Sequence, residues 1–184
     1  GAHASLTDAA AAITINSAAA AQIALVTPPA NVTAGACTGF AVQIQDTFGN
    51  AQTAGSYAVD FSNTNGSGGW YTANDCNGGS VSSTLTLGVG VSDGALYYQN
   101  DTAESVTVDA DHASLTKDTA ALTIDPAAAS QVVWLSPSTS ISAGACTQYD
   151  FQIQDSLNNA QTSGAYTLDF SASTGSGTFY TAND

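Results

Sequence analysis

Basic side chains are almost missing from this chain. Lys117 is the only lysine, there is no arginine, and 15 acidic residues leave a formal net charge of −14. A nucleic-acid partner needs Lys or Arg to neutralise its phosphates, so that class is excluded. Docking on an anionic membrane surface fails for the same reason. Charge of either sign is scarce: 9% of residues are charged, against roughly 25% in an ordinary domain. Hydrophobic residues make up 43%, enough for packed cores and too many for charge-driven disorder. The acidic balance favours solubility and repulsion between copies. It also leaves carboxylates whose natural counter-ions would be divalent cations such as Ca²⁺.

Other absences narrow the field. No run approaches the ~20 apolar residues of a membrane-spanning helix, so no membrane insertion is expected. The alanine runs Ala9–Ala12 and Ala18–Ala21 are too short and too small-sided. Methionine is absent throughout and no secretory leader pattern opens the chain. The expectation is a processed or internal piece of a longer product. Helical periodicity is missing as well.

What the sequence does have is itself, twice. His3-Ala-Ser-Leu-Thr7 recurs as His112-Ala-Ser-Leu-Thr116, an offset of 109 residues. The same offset lays Ala34-Gly-Ala-Cys-Thr38 on Ala143-Gly-Ala-Cys-Thr147 and Gln43-Ile-Gln-Asp46 on Gln152-Ile-Gln-Asp155. Tyr71-Thr-Ala-Asn-Asp75 likewise falls on Tyr180-Thr-Ala-Asn-Asp184, with no gap anywhere and more than half of the overlapping positions identical. A period of this size means tandem domains. The expected division is residues 1–17 as the final strand of a preceding repeat, 18–125 as one complete unit, and 126–184 as the truncated first half of a following unit. Such a half unit would expose an apolar face and open sheet edges. The chain then reads as a slice of a longer array, the other arrangement being completion of the sheet by a neighbouring molecule.

Within the complete unit, short segments alternate. Phe40, Val42 and Ile44 alternate with Ala41, Gln43 and Gln45, and Tyr57, Val59 and Phe61 repeat the pattern. Gln22–Thr27, Val81–Leu87, Ala95–Tyr98, Ser105–Asp109 and Ala120–Ile124 are further strand candidates. Period-2 alternation of β-branched and aromatic residues marks half-buried strands. Phe48-Gly-Asn50, Asn65-Gly-Ser-Gly-Gly69, Asn77-Gly-Gly79 and Asp93-Gly94 separate them as turns. The fold class is therefore all-β: tandem immunoglobulin-like antiparallel β-sandwiches. Ala18–Ala21 and Ala127–Ala129 read as linkers between them.

Three cysteines look odd until the repeat is applied. Cys146 is the counterpart of Cys37, and the counterpart of Cys76 would fall just past Asp184. Each unit's own arithmetic is two cysteines, hence a Cys37–Cys76 disulfide, with a buried pair of free thiols as the other arrangement. A disulfide would place the protein in an oxidising compartment, extracellular or on a cell surface.

Phe40-Ala-Val-Gln-Ile-Gln-Asp-Thr-Phe-Gly-Asn50, followed by Val59-Asp-Phe61, resembles the bacterial Ig-like repeats of invasin- and intimin-type surface proteins. Those repeats carry a V-x-V-x-D-x-x-G-N core and then a short hydrophobic strand. The cysteines at Ala34-Gly-Ala-Cys37 and Tyr71–Cys76 look like a cysteine-bearing variant from very large surface proteins. The resemblance implies a stalk or adhesive fibre. The second unit departs from the pattern with Asn158-Asn159 in place of Gly49-Asn50. Asn tolerates positive φ better than most residues, so the turn can survive.

Candidate sites are few. Asp46 with Asn50 could face a cation, but an Asx-type turn is the plainer reading. Asp109 and Asp111 lie on one strand face and could meet Ca²⁺, which requires six or more oxygen ligands where two are visible. His3 and His112 recur singly, short of the three or four ligands of a zinc site. Trp70-Tyr71 and Tyr97-Tyr98 each put one ring outward, where it could stack on a sugar. Asn31, Asn65 and Asn100 open glycosylation acceptor patterns that do not recur in the second unit. No Ser-His-Asp arrangement and no phosphate loop can be assembled. Catalytic, cofactor and metal sites are thus expected to be none, and an enzyme is not expected. The expectation is a structural repeat of an extracellular stalk or filament, of roughly 40 Å per unit. Its partners would be copies of itself in a filament or tandem array. The alternative is an adhesive module that binds glycans or proteins of neighbouring cells.

Overall fold

A computed structural model of the chain describes residues 11–64, 66–78, 82–136, 139–173, 175 and 177–181. His3, Asn65 and Val81 fall outside the described residues.

Among the described residues, nine strands build the first unit: Ala20–Val26 (β1), Asn31–Thr33 (β2), Thr38–Asp46 (β3), Tyr57–Asn63 (β4), Gly69–Tyr71 (β5), Thr84–Leu87 (β6), Asp93–Gln99 (β7), Ser105–Asp111 (β8) and Asp118–Asp125 (β9). They form a four-stranded sheet in the order β1-β3-β7-β5 and a five-stranded sheet in the order β2-β9-β8-β4-β6. The architecture is a β-sandwich, and alternation makes it one. Phe40, Val42 and Ile44 of β3 are buried, while Ala41, Gln43 and Gln45 between them are half-exposed. The opposite sheet supplies Val59, Phe61, Val106, Val108, Ala110, Leu122 and Ile124 to the same core. A sheet with one face in the core and one in solvent gives this pattern.

An aromatic knot fills the centre. The Trp70 ring lies 4.9 Å from both Phe61 and Tyr98, and 5.7 Å from Phe40, centroid to centroid. Tilted and edge-on pairs of this kind add to the burial term. Gly68 lets the strand enter the knot, because a Cβ there would stand 2.3 Å from the Tyr98 ring. The paired tyrosines and the Trp70-Tyr71 pair split as alternation requires, with Tyr98 and Trp70 buried and Tyr97 and Tyr71 only half-buried.

Two features depart from the expectation. The alanine runs are not linker to their ends: Ala20 and Ala21 belong to β1, and Ala129 opens the strand Ala129–Trp134 (β10). A register shift follows at the start of each strand, between Ala20 and Gln22 and between Ala129 and Gln131. Small side chains accommodate the local bend that such a bulge imposes. The sandwich is also not wholly antiparallel, since β2 pairs with β9 in parallel, Val32 opposite Ile124. That three-residue edge strand carries too little alternation to be read from sequence.

The second unit is represented by β10 and Phe151–Asp155 (β11), paired with each other in the register of β1 and β3. Among the described residues no second sheet faces its apolar positions. Phe151 is 40% exposed, whereas its counterpart Val42 is fully buried. Trp134, Tyr149, Phe151, Phe170 and Phe179 cluster ring to ring instead. Before the first unit, residues 11–17 run without strand pairing, and Ile13 and Ile15 are exposed.

Cys37 and Cys76 are bridged, with 5.6 Å between their Cα atoms and a sequence separation of 39. The bridge ties the segment entering β3 to the segment leaving β5, the two strands that flank β7. Cys146 is a free thiol and exposed. Closing a loop of this length removes unfolded-chain entropy worth about 4 kcal/mol. Cys37→Ser is therefore expected to lower unfolding stability by about that amount, read as a drop in the urea midpoint that added reductant reproduces in the parent chain.

Candidate functional site: the joint between units

The sequence Gln-Ile-Gln-Asp ends β3 in the first unit and β11 in the second. Each aspartate is fully buried. A buried carboxylate must be fully hydrogen-bonded or it destabilises the fold, and here its surroundings are all donors. Asp46 Oδ1 accepts from the backbone N–H groups of Phe48 at 2.8 Å and Asn50 at 2.9 Å. Asp46 Oδ2 accepts from the Asn50 side-chain amide at 3.0 Å and from the Ala18 backbone N–H at 2.9 Å. Asp155 repeats the set with Leu157, Asn159, the Asn159 amide and Ala127, at 2.9, 2.8, 3.0 and 2.8 Å.

Three of these four bonds make a turn. The fourth reaches outside it to the residue where the chain enters the unit. A glutamine completes the hold: the Gln52 side-chain amide donates to the Ala18 carbonyl, and that of Gln161 donates to the Ala127 carbonyl. One peptide segment of each linker is thus fixed through both its donor and its acceptor. The turn itself needs a positive φ, which Gly49 supplies at 82° and Asn158 at 71°. Asn in place of Gly preserves the turn.

Charge follows from geometry. The Asn50 side chain beside Asp46, aided by the Ala18, Asn50 and Phe48 backbone donors, outweighs burial and holds its pKa at about 2 against an ordinary 3.8. At Asp155 burial pulls upward, but the Asn159 side chain and the backbone donors prevail and the pKa is again lowered.

The second turn also touches the first unit. Asn159 accepts from the Ala103 backbone N–H through Oδ1 and donates from Nδ2 to the Asp101 carbonyl, both at 2.8 Å. Its one amide therefore bonds its own aspartate and the end of the neighbouring sandwich. Leu157 packs against the first unit's core cluster. It approaches Gly35 so closely that a Cβ there would lie 3.1 Å from Leu157 Cδ1. Gly35 also has φ of 80°, so the position suits glycine on both counts. A cleft of about 340 Å³, lined in part by Glu104, Asp125 and Asn159, lies beside this contact.

The remaining candidates disperse. Asp109 is paired with Lys117 Nζ at 3.1 Å, partly exposed to solvent. Asp111 accepts from the His112 backbone N–H and lies opposite Asp60 across the strand pair. Among the described residues, no group of three or more His, Cys, Asp or Glu side chains is arranged to hold a metal ion. The His112 ring stacks edge-on to Tyr57. Asn100 is buried and its amide bonds Glu104 and Tyr98, so a glycan could attach there only by disrupting the core edge. Asn31 bonds Asp125 at the surface. Tyr71 borders a shallow depression of about 300 Å³ with Ser67, Gln99, Asn100, Asp101 and Thr102.

Alternation and turn chemistry point to Asp46 and its turn. They do not point to Gln52, Gln161 or the outward role of Asn159. The available signal was the recurrence of Asn-Ala-Gln-Thr at 50–53 and 159–162, at the same distance after Asp46 and Asp155.

The sequence matches no protein-family model and no curated protein. Among solved structures, a β-glycosidase from Bacteroides vulgatus aligns with 59% of this chain at 16% identity and a TM-score of 0.47. The alignment spans only 14% of that enzyme's length. Domains 5–6 of the S-layer protein SbsC align with 78% of this chain and 66% of their own length, at 15% identity and a TM-score of 0.43. At such identities the likeness reaches no further than the fold.

The lowered pKa values fix a pH dependence. Asp46 binds a proton less readily folded than unfolded. Its contribution is therefore complete above about pH 4 and is lost as pH falls toward the folded value. Urea midpoints measured from pH 6 downward should fall across that window. Asp46→Asn should lower the midpoint at pH 6 and flatten the acid limb; an unchanged limb would assign the loss to other carboxylates.

Proposed function

We propose that this chain is a structural repeat of an extracellular surface stalk or filament, with a mechanical rather than a catalytic role. The observation that carries the reading is the joint. Each unit clamps its own linker with a buried aspartate and a glutamine. The second unit is further seated on the first by Asn159 and Leu157. A chain built to separate two points needs units that cannot swing freely, and a fixed linker with a packed contact supplies that.

Other features favour the same reading. The Cys37–Cys76 bridge suits an oxidising exterior. A net charge of −14 discourages lateral clumping of parallel rods. The resemblance of residues 40–61 to the Ig-like repeats of invasin- and intimin-type proteins belongs to this proposal and points the same way. Its partners are then copies of the same unit along one array.

A second reading has one observation in its favour. The depression beside Tyr71 combines a half-exposed ring with amide, hydroxyl and carboxylate groups, the mixture that a sugar-binding surface uses. Under it the repeats would be adhesive.

Antibody raised against residues 18–125 should label intact, unpermeabilised cells along extended surface structures. Labelling that appears only after lysis would remove the surface role. A glycan array probed with the full chain separates the two readings: no bound glycan is expected, and binding lost in Tyr71→Ala would favour adhesion instead.

A further inference from the structure

The joint has a plug and a socket, and this chain shows one more of each than it joins. The plug is the Asp-x-Leu-Asn-Asn turn, with Leu157 at its tip and Asn159 beside it. The socket is the end of the first sandwich: Gly35, the Asp101 carbonyl and the Ala103 N–H.

The first unit carries the same plug, unused. Its turn is bonded like the second, from Asp46 to Ala18, and Gly49 holds the conformation of Asn158. Yet Phe48, the counterpart of Leu157, is 81% exposed. Asn50 is exposed where Asn159 is half-buried. A single exposed ring is ordinary on a protein surface; what marks Phe48 is that its counterpart Leu157, on the same turn, is seated against a neighbouring sandwich. The second unit in turn carries an open part of a socket. Gly144, the counterpart of Gly35, has φ of 81°, and nothing lies within 4 Å of where its Cβ would be. At Gly35 the same space holds Leu157.

We propose that the Phe48–Asn50 tip seats on the glycine end of another sandwich of this repeat, standing ahead of Ala18, as Leu157 and Asn159 seat on Gly35, Asp101 and Ala103. The occupant is defined by chemistry: a left-handed glycine that leaves room for an apolar tip, flanked by a backbone carbonyl and an N–H that one asparagine amide can bridge. The contact is head-to-tail and translating, so it extends without closing. The inference concerns how units meet, and holds wherever the protein resides.

The test lengthens the full chain by placing residues 18–109 ahead of Gly1, in phase with the repeat, and compares it with the parent chain. Hydrogen exchange of the segment containing Phe48–Asn50 should slow by about tenfold or more in the lengthened chain, as expected for amides newly shielded by a packed contact. Phe48→Ser should abolish that slowing while leaving the parent chain's urea midpoint unchanged, which also shows that the variant folds. Exchange that is equal in the two chains would overturn the proposal. So would a slowing that survives Phe48→Ser, or a midpoint that falls equally in both chains, because Phe48 would then act within its own unit.

Discussion

The structure depends on a carboxylate buried where β3 turns back, and on its twin at the end of β11. A charge in that position is tolerated only because four donors converge on it. Three come from the turn and fix its shape. One comes from the linker and fixes where the unit starts. A neutral amide of the same shape could not accept all four. The turn and the start of the unit are therefore set by one carboxylate, which orders a short alanine linker without large side chains of its own.

Upon that anchor the rest is ordinary sandwich physics. Alternating strands bury one face, the Trp70 knot fills the centre, and the Cys37–Cys76 bridge restrains the open end of one sheet. Among the described residues no sheet faces β10 and β11, and Trp134, Phe151 and Phe170 gather ring to ring and stay partly exposed.

Much of this could be read in advance. Alternation at Phe40–Gln45 and Tyr57–Phe61 named the inward residues. Three things escaped. The edge strand at Asn31–Thr33 is too short to carry a period. The ends of the alanine runs, Ala20–Ala21 and Ala129, join strands because their backbone, invisible to hydropathy, finds partners. The joint escaped because Asn159 acts across units, and a sequence pattern reports faces of one element, never which side chain bridges two. The absence of large helical spacing, by contrast, was enough to rule out helices in the alanine runs.

The central claim is that the units are held at a fixed angle by the clamped joint. Residual dipolar couplings of the full chain, measured in one weakly aligned sample for the amides of β1–β9 and of β10–β11, address it directly. The account predicts that a single alignment tensor fits both sets. Two tensors of different magnitude or orientation, showing that β10–β11 reorients independently of the first sandwich, would contradict it.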